Sequence, residues 1–64
     1  MKELQKFVGA KTNDVIDEMV SIAEGQGFSL ALTDLDDGFA NIDVDPRRVN
    51  VGQRNEHVAK IWIG

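Results

Sequence analysis

The sequence predicts an α+β domain: one helix packed on a small mixed sheet of three strands, with a long exposed loop between the first two strands. Three observations carry this expectation. Between Asn13 and Glu24 the apolar residues Val15, Ile16, Met19, Val20, Ile22 and Ala23 recur at helical spacing. Three later runs alternate with a period of two, as half-buried strands do. The segments between those runs are unequal. A short turn cluster divides the last two, whereas the acidic stretch from Asp34 to Pro46 divides the first two with no helical or strand period. Loops this long inside a small domain are usually functional or disordered. Flanked here by well-patterned strands, this one reads as held and functional.

Lys2 to Lys11 is a lead-in, with Phe7, Val8 and Leu4 as apolar anchors and Gly9 breaking any helix there. Thr12 suits the N-cap of the helix, and Asp14 lies in its first turn, where the helix dipole favours an anion. Gly25 and Gly27 supply the exit. The first strand is Phe28 to Thr33, with Phe28, Leu30 and Leu32 on one face. The second is Arg47 to Val51, with Val49 and Val51 inward and Arg48 and Asn50 on the opposite face. A turn cluster, Gly52 to Asn55, leads to the third strand, His57 to Ile63. There Ala59, Ile61 and Ile63 share one face, and Val58, Lys60 and Trp62 the other. The expected core is Val15, Ile16, Met19, Ala23, Phe28, Leu30, Leu32, Val49, Val51, Ile61 and Ile63.

Sixty-four residues allow a single domain, 1–64, with one small core and marginal stability. The chain has no cysteine, so neither disulfides nor a thiolate metal site support it, which fits a reducing compartment. The opening MKELQKFVGA lacks the apolar core of a signal peptide, and no segment approaches membrane-spanning length. The expectation is a soluble protein, with the cytoplasm favoured and no membrane partner. Seven basic against eleven acidic residues give a net charge of −4, which disfavours nucleic acid as a partner.

The residues that could carry chemistry are few. His57 is the only histidine, and no nucleophile stands beside it in sequence, so it reads as a surface histidine and the chain as a non-enzyme. Asp34, Asp36, Asp37 and Asp45 partly echo a calcium loop. However, Gly38 falls one place early and no glutamate closes the site, so a turn-forming acidic run is the better account and no metal or cofactor is expected. Within the loop, Asp36-Asp37-Gly38 signals a turn, and Pro46 pushes Asp45 towards an extended conformation. Ile42 is open to two readings: a loop hydrophobe tucked onto the core, or a side chain presented outward as a protease cleft would accept it. Arg48 could brace the loop from beneath, through Asp43 or backbone carbonyls. Lys60 and Trp62 form either an interface patch or a cover for the sheet or the loop base.

The order of these elements resembles the potato inhibitor I family of serine-protease inhibitors. The residues that carry the likeness are Val8-Gly9-x-Lys11-Thr12 leading into a helix, then a strand, a loop, an Arg-x-Asn strand and a terminal apolar-Gly pair. The run Asn41 to Val51, NIDVDPRRVNV, is nearest to small bacterial inhibitor-like proteins of that fold. Those often carry a segment like Thr-Met-Asp-Tyr-Arg-Pro-Asp-Arg-Leu-Asn-Val. The resemblance spans roughly Phe7 to Gly64. It implies substrate-like binding in a serine-protease cleft, of the subtilisin-like or chymotrypsin/elastase-like kind. It also implies protease contact by Asn41, Ile42, Asp43 and Val44, with Ile42 before the scissile bond and Asp43 after it. Arg48, Asn50 and Gly64 would support the loop. The chain departs from the family in four ways. Asp45 stands where an arginine is common, Asn50 replaces a second supporting arginine, the stretch before Ile42 is about one residue short, and an N-terminal tryptophan is missing. The alternative from another class is a non-inhibitory interaction module of the same fold, a monomer or weak dimer that uses an exposed strand edge, the acidic loop or the Trp62 face.

Overall fold

Six residues at the start of the chain, Lys2–Phe7, wind into a 3-10 helix rather than an irregular lead-in. In that helix positions i and i+3 eclipse, which puts Leu4 and Phe7 on one side, and both are buried. A computed structural model describes residues 2–37 and 45–64. After the 3-10 helix come α1 (Thr12–Gly25), β1 (Ser29–Asp34), a 3-10 turn (Leu35–Asp37), β2 (Arg48–Arg54) and β3 (His57–Ile63). The sheet has the order β1-β2-β3, with β1 and β2 parallel and β2 and β3 antiparallel. The domain is therefore the expected α+β type, one helix on a three-stranded mixed sheet.

The core lies between α1 and one face of the sheet. Leu4, Phe7, Met19, Ala23, Val49, Val51, Val58 and Ile61 form it, with Val15, Ile16, Ile22, Phe28 and Leu30 packed around them. Thr12 belongs to the same helical stripe as Val15, Met19 and Ala23, and that position explains why it does not act as the N-cap. Lys11 takes that place with an extended backbone and no side-chain cap. Thr12 is buried, its amide donates to the Glu56 carbonyl at 2.8 Å, and its Oγ1 has no partner among the described residues. Leaving a buried hydroxyl unsatisfied costs about 1–3 kcal/mol. Thr12→Val is therefore expected to stabilise the domain by about 1 kcal/mol, read as a higher urea midpoint at unchanged m-value.

Two parts of the expected core are corrected. Leu32 is 47% exposed and Ile63 is 40% exposed. Both point to the helix side, being paired with Val51 and Val49, but Leu32 lies on an edge strand and Ile63 at a strand end, so α1 does not cover them. Val58, expected on the outer face with Lys60 and Trp62, is instead 1% exposed. A β-bulge causes the change. Gly52 pairs with Lys60 and Gln53 with Val58, so Ala59 is the extra residue and the alternation of β3 changes phase there. Val58 and Ile61 then share the core face at a spacing of three.

β2 also runs further than expected. Gly52, Gln53 and Arg54 belong to the strand, and the turn is the two residues Asn55 and Glu56, with φ of 54° and 65°. Positive φ at both central positions marks a type I′ hairpin turn, whose usual sequence is Asn-Gly. Glu56 holds the left-handed conformation at a steric cost of roughly 1–2 kcal/mol. Glu56→Gly should raise Tm by roughly 4–8 °C for each kcal/mol recovered. Thermal unfolding followed by circular dichroism measures it.

Candidate functional site

The parallel pairing of β1 and β2 sets up the site. Ser29 lies beside Arg48 and Asp34 beside Gln53, so the chain leaves β1 at one end of the sheet and re-enters at the other. The ends are about 17 Å apart, five residue rises. Residues 35–47 make this crossing, between the end of β1 and the start of β2. The expected loop began at Asp34; that residue in fact closes β1, and Leu35–Asp37 forms the 3-10 turn that follows. Of the predicted contact residues, Asn41, Ile42, Asp43 and Val44 lie outside the described residues.

The departing end is tied to β2. The Asp36 amide donates to Asp34 Oδ1 at 3.0 Å, an Asx turn that bends the chain off the strand. Arg54 Nε meets Asp36 Oδ1 at 3.2 Å, an exposed ion pair that contributes little by itself. More of the placement comes from Leu35, which settles onto Gly52. A Cβ at Gly52 would stand 2.9 Å from Leu35 Cδ2 and 3.0 Å from its Cγ, so a side chain there would push Leu35 off this seat. Sequence reasoning placed Gly52 in a turn and missed this contact. Its only signal was a glycine directly following the alternating run of β2.

The returning end is a β-turn. The Arg48 amide donates to the Asp45 carbonyl at 3.1 Å, with Pro46 at the second position, where its fixed φ suits the turn. Asp45 Oδ1 also accepts the Arg47 amide at 2.9 Å. The Asp-Pro pair was legible as a turn starter, and these bonds give Asp45 a use that an arginine could not fill. The Ser29 amide then donates to the Arg47 carbonyl at 2.9 Å, which fastens the turn to β1. Arg47 Nη1 stands 3.5 Å from where a Cβ on Gly27 would lie, so its guanidinium sits just past the C-terminus of α1. A cation there complements the helix dipole, and the last turn of α1 holds no basic residue of its own.

The three predicted support residues come together. Arg48 and Asn50 share a face of β2, and the β2–β3 hairpin pairs Val49 with Ile63, which brings Gly64 alongside. Arg48 Nε donates to the Gly64 main-chain oxygen at 3.1 Å, and Asn50 Nδ2 donates to the same oxygen at 2.7 Å. The Gly64 amide donates back to the Arg48 carbonyl at 3.2 Å. Gly64 has a φ of 138°, a backbone conformation open to glycine. Asn50 is fully buried, and both it and Arg48 make further interactions, as does Trp62. Trp62 pairs across the ladder with Asn50 and carries the Lys60 ammonium 5.1 Å from its ring centroid. The face away from α1 is thus a polar, hydrogen-bonded platform with one aromatic beside it.

His57 is exposed beside the hairpin turn, with Nδ1 2.7 Å from the Asn55 carbonyl oxygen. Among the described residues no group of three His, Cys, Asp or Glu is placed to hold a metal ion. No described helix is long and apolar enough to cross a membrane. Comparison of the chain with family models, curated proteins and solved structures finds no match to any of them.

Proposed function

We propose that this protein is a serine-protease inhibitor that acts by substrate-like binding of its loop, residues 34–46. The observation that supports this reading is the anchoring of the β1–β2 connection at both ends onto β2. Leu35 sits on Gly52 where the connection leaves, and the Asp45-Pro46 turn closes where it returns. A substrate that is held before it binds loses less freedom on binding, and its cut ends stay together after cleavage. Arg48 and Asn50, fixed against Gly64, form the bracing platform in this reading. Asn41, Ile42, Asp43 and Val44 provide the extended contact, and Ile42 enters the specificity pocket. No cofactor takes part.

Titration of the protein against subtilisin-like, chymotrypsin-like and elastase-like proteases tests the proposal, with mass spectrometry of the loop. Stoichiometric inhibition with slow cleavage between Ile42 and Asp43 supports it. Cleavage at ordinary substrate rates by every protease tried, with none of them slowed, removes inhibition and leaves a non-inhibitory interaction module.

Specificity should follow Ile42. A branched aliphatic suits a shallow apolar pocket and fits a trypsin-like acidic pocket poorly. Ile42→Lys is expected to shift inhibition towards trypsin-like enzymes by at least tenfold, because a tenfold change needs only about 1.4 kcal/mol of differential binding. Inhibition constants for the two variants against both enzyme classes measure the shift. An unchanged preference would take Ile42 out of the contact position.

A further inference from the structure

The two edges of the sheet are treated differently. The outer edge of β3 is occupied by the N-terminal segment. The Gly9 amide donates to the Val58 carbonyl at 2.7 Å, the Val58 amide to the Ala10 carbonyl at 2.8 Å, and the Thr12 amide to the Glu56 carbonyl at 2.8 Å. Gln5 Nε2 reaches the Ile61 carbonyl at 3.3 Å. β1, the opposite edge, has no such cover among the described residues. The Ser29 amide bonds to Arg47 on the β2 side, so by strand alternation Ala31 and Thr33 also turn their backbone groups towards β2. Leu30 and Leu32 then point their amides and carbonyls outward. Exposed edges are usually blunted by charge, proline or a bulge. The run Ser29-Leu-Ala-Leu-Thr33 contains no charge and no proline, and no bulge interrupts its register with β2.

We propose that a second copy of this chain pairs with that edge, β1 against β1 and antiparallel, about a two-fold axis at Ala31. The sequence is self-complementary about that point. Leu30 falls opposite Leu32 of the other copy, and the outward groups of the two leucines close about four interchain hydrogen bonds. Burial favours this arrangement as well. Leu30 is half-buried while Leu32 is 47% exposed, so the antiparallel dyad sets the covered end of one strand beside the open end of the other. The result is a continuous six-stranded sheet. The proposal does not depend on protease inhibition.

Because the chain has no cysteine, a single introduced thiol reports the register. Across the dyad the two Ala31 Cα atoms form a non-hydrogen-bonded pair about 4.5 Å apart, within disulfide reach. Two Thr33 residues would be roughly 13 Å apart, four residue rises. Sedimentation equilibrium should show a concentration-dependent dimer for the unaltered protein. Mild oxidation should convert Ala31→Cys to a disulfide-linked dimer at least tenfold faster than Thr33→Cys. Leu32→Pro removes an outward amide and spares the β2 ladder, so it should give a folded monomer. If that variant does not fold, Leu32→Lys is to be used in the same measurement. A wild type that stays monomeric to millimolar concentration, or equal cross-linking at positions 31 and 33, overturns the proposal.

Discussion

Met19→Asp is expected to abolish cooperative unfolding. Met19 is fully buried among Ala23, Val49, Val51 and the other core residues. A carboxylate placed there has no partner to replace water, and burying it costs several kcal/mol even when the group is neutralised by protonation. A domain of this size has a net stability near the low end of the usual 5–15 kcal/mol. The substitution therefore removes most or all of it. Met19→Leu conserves volume and should cost less than about 1.5 kcal/mol. Urea denaturation of the two variants by tryptophan fluorescence separates the outcomes. A sigmoidal transition retained by Met19→Asp with little loss of midpoint would show that the core is not where the packing places it.

Arg48→Ala should leave the fold standing and weaken the loop. The Arg48 side chain lies on the face away from α1 and donates to the Gly64 oxygen, which keeps its second donor, Asn50, in the variant. A hydrogen bond from a charged group contributes about 1.5–3 kcal/mol. On the inhibitor reading, its loss frees the brace and speeds cleavage between Ile42 and Asp43 tenfold or more. Arg48→Lys keeps the charge and loses the planar fork, so it should fall between the two. The measurement pairs a time course of loop cleavage by mass spectrometry with thermal unfolding of each variant. Faster cleavage with an almost unchanged Tm supports a bracing role. Equal cleavage rates for all three proteins would reduce Arg48 to a strand residue that ties down Gly64.

The positional logic of the Arg48–Asn50–Gly64 cluster was readable from residue spacing. Arg48 and Asn50 lie two apart on a strand, so they had to share a face whatever else the chain did. That both would meet at Gly64 depended on the β2–β3 hairpin, which returns the last residue to the start of β2. The anchors of the connection were less visible. Leu35 lies in an acidic run, and Gly52 was read as part of a turn. Their contact joins residues seventeen positions apart, and no local pattern records it.

The sequence by itself determined the elements that rest on local periodicity. The stripe through Val15, Met19 and Ala23 makes a helix, and the alternation in 28–33 and 47–51 makes strands, because each buries one face only with its own period. Absence of a hairpin signal before β2 and its presence before β3 already implied a mixed sheet. Tertiary structure decided the rest. It drew Thr12 into the core as the first member of the helical stripe, leaving Lys11 at the cap. It inserted Ala59 as a bulge, pairing Gln53 with Val58 and so turning Val58 inward. It left Leu32, near the outgoing end of the edge strand, and Ile63, at the end of β3, largely exposed although both share the core face. In each case the outcome was set by a partner distant in sequence.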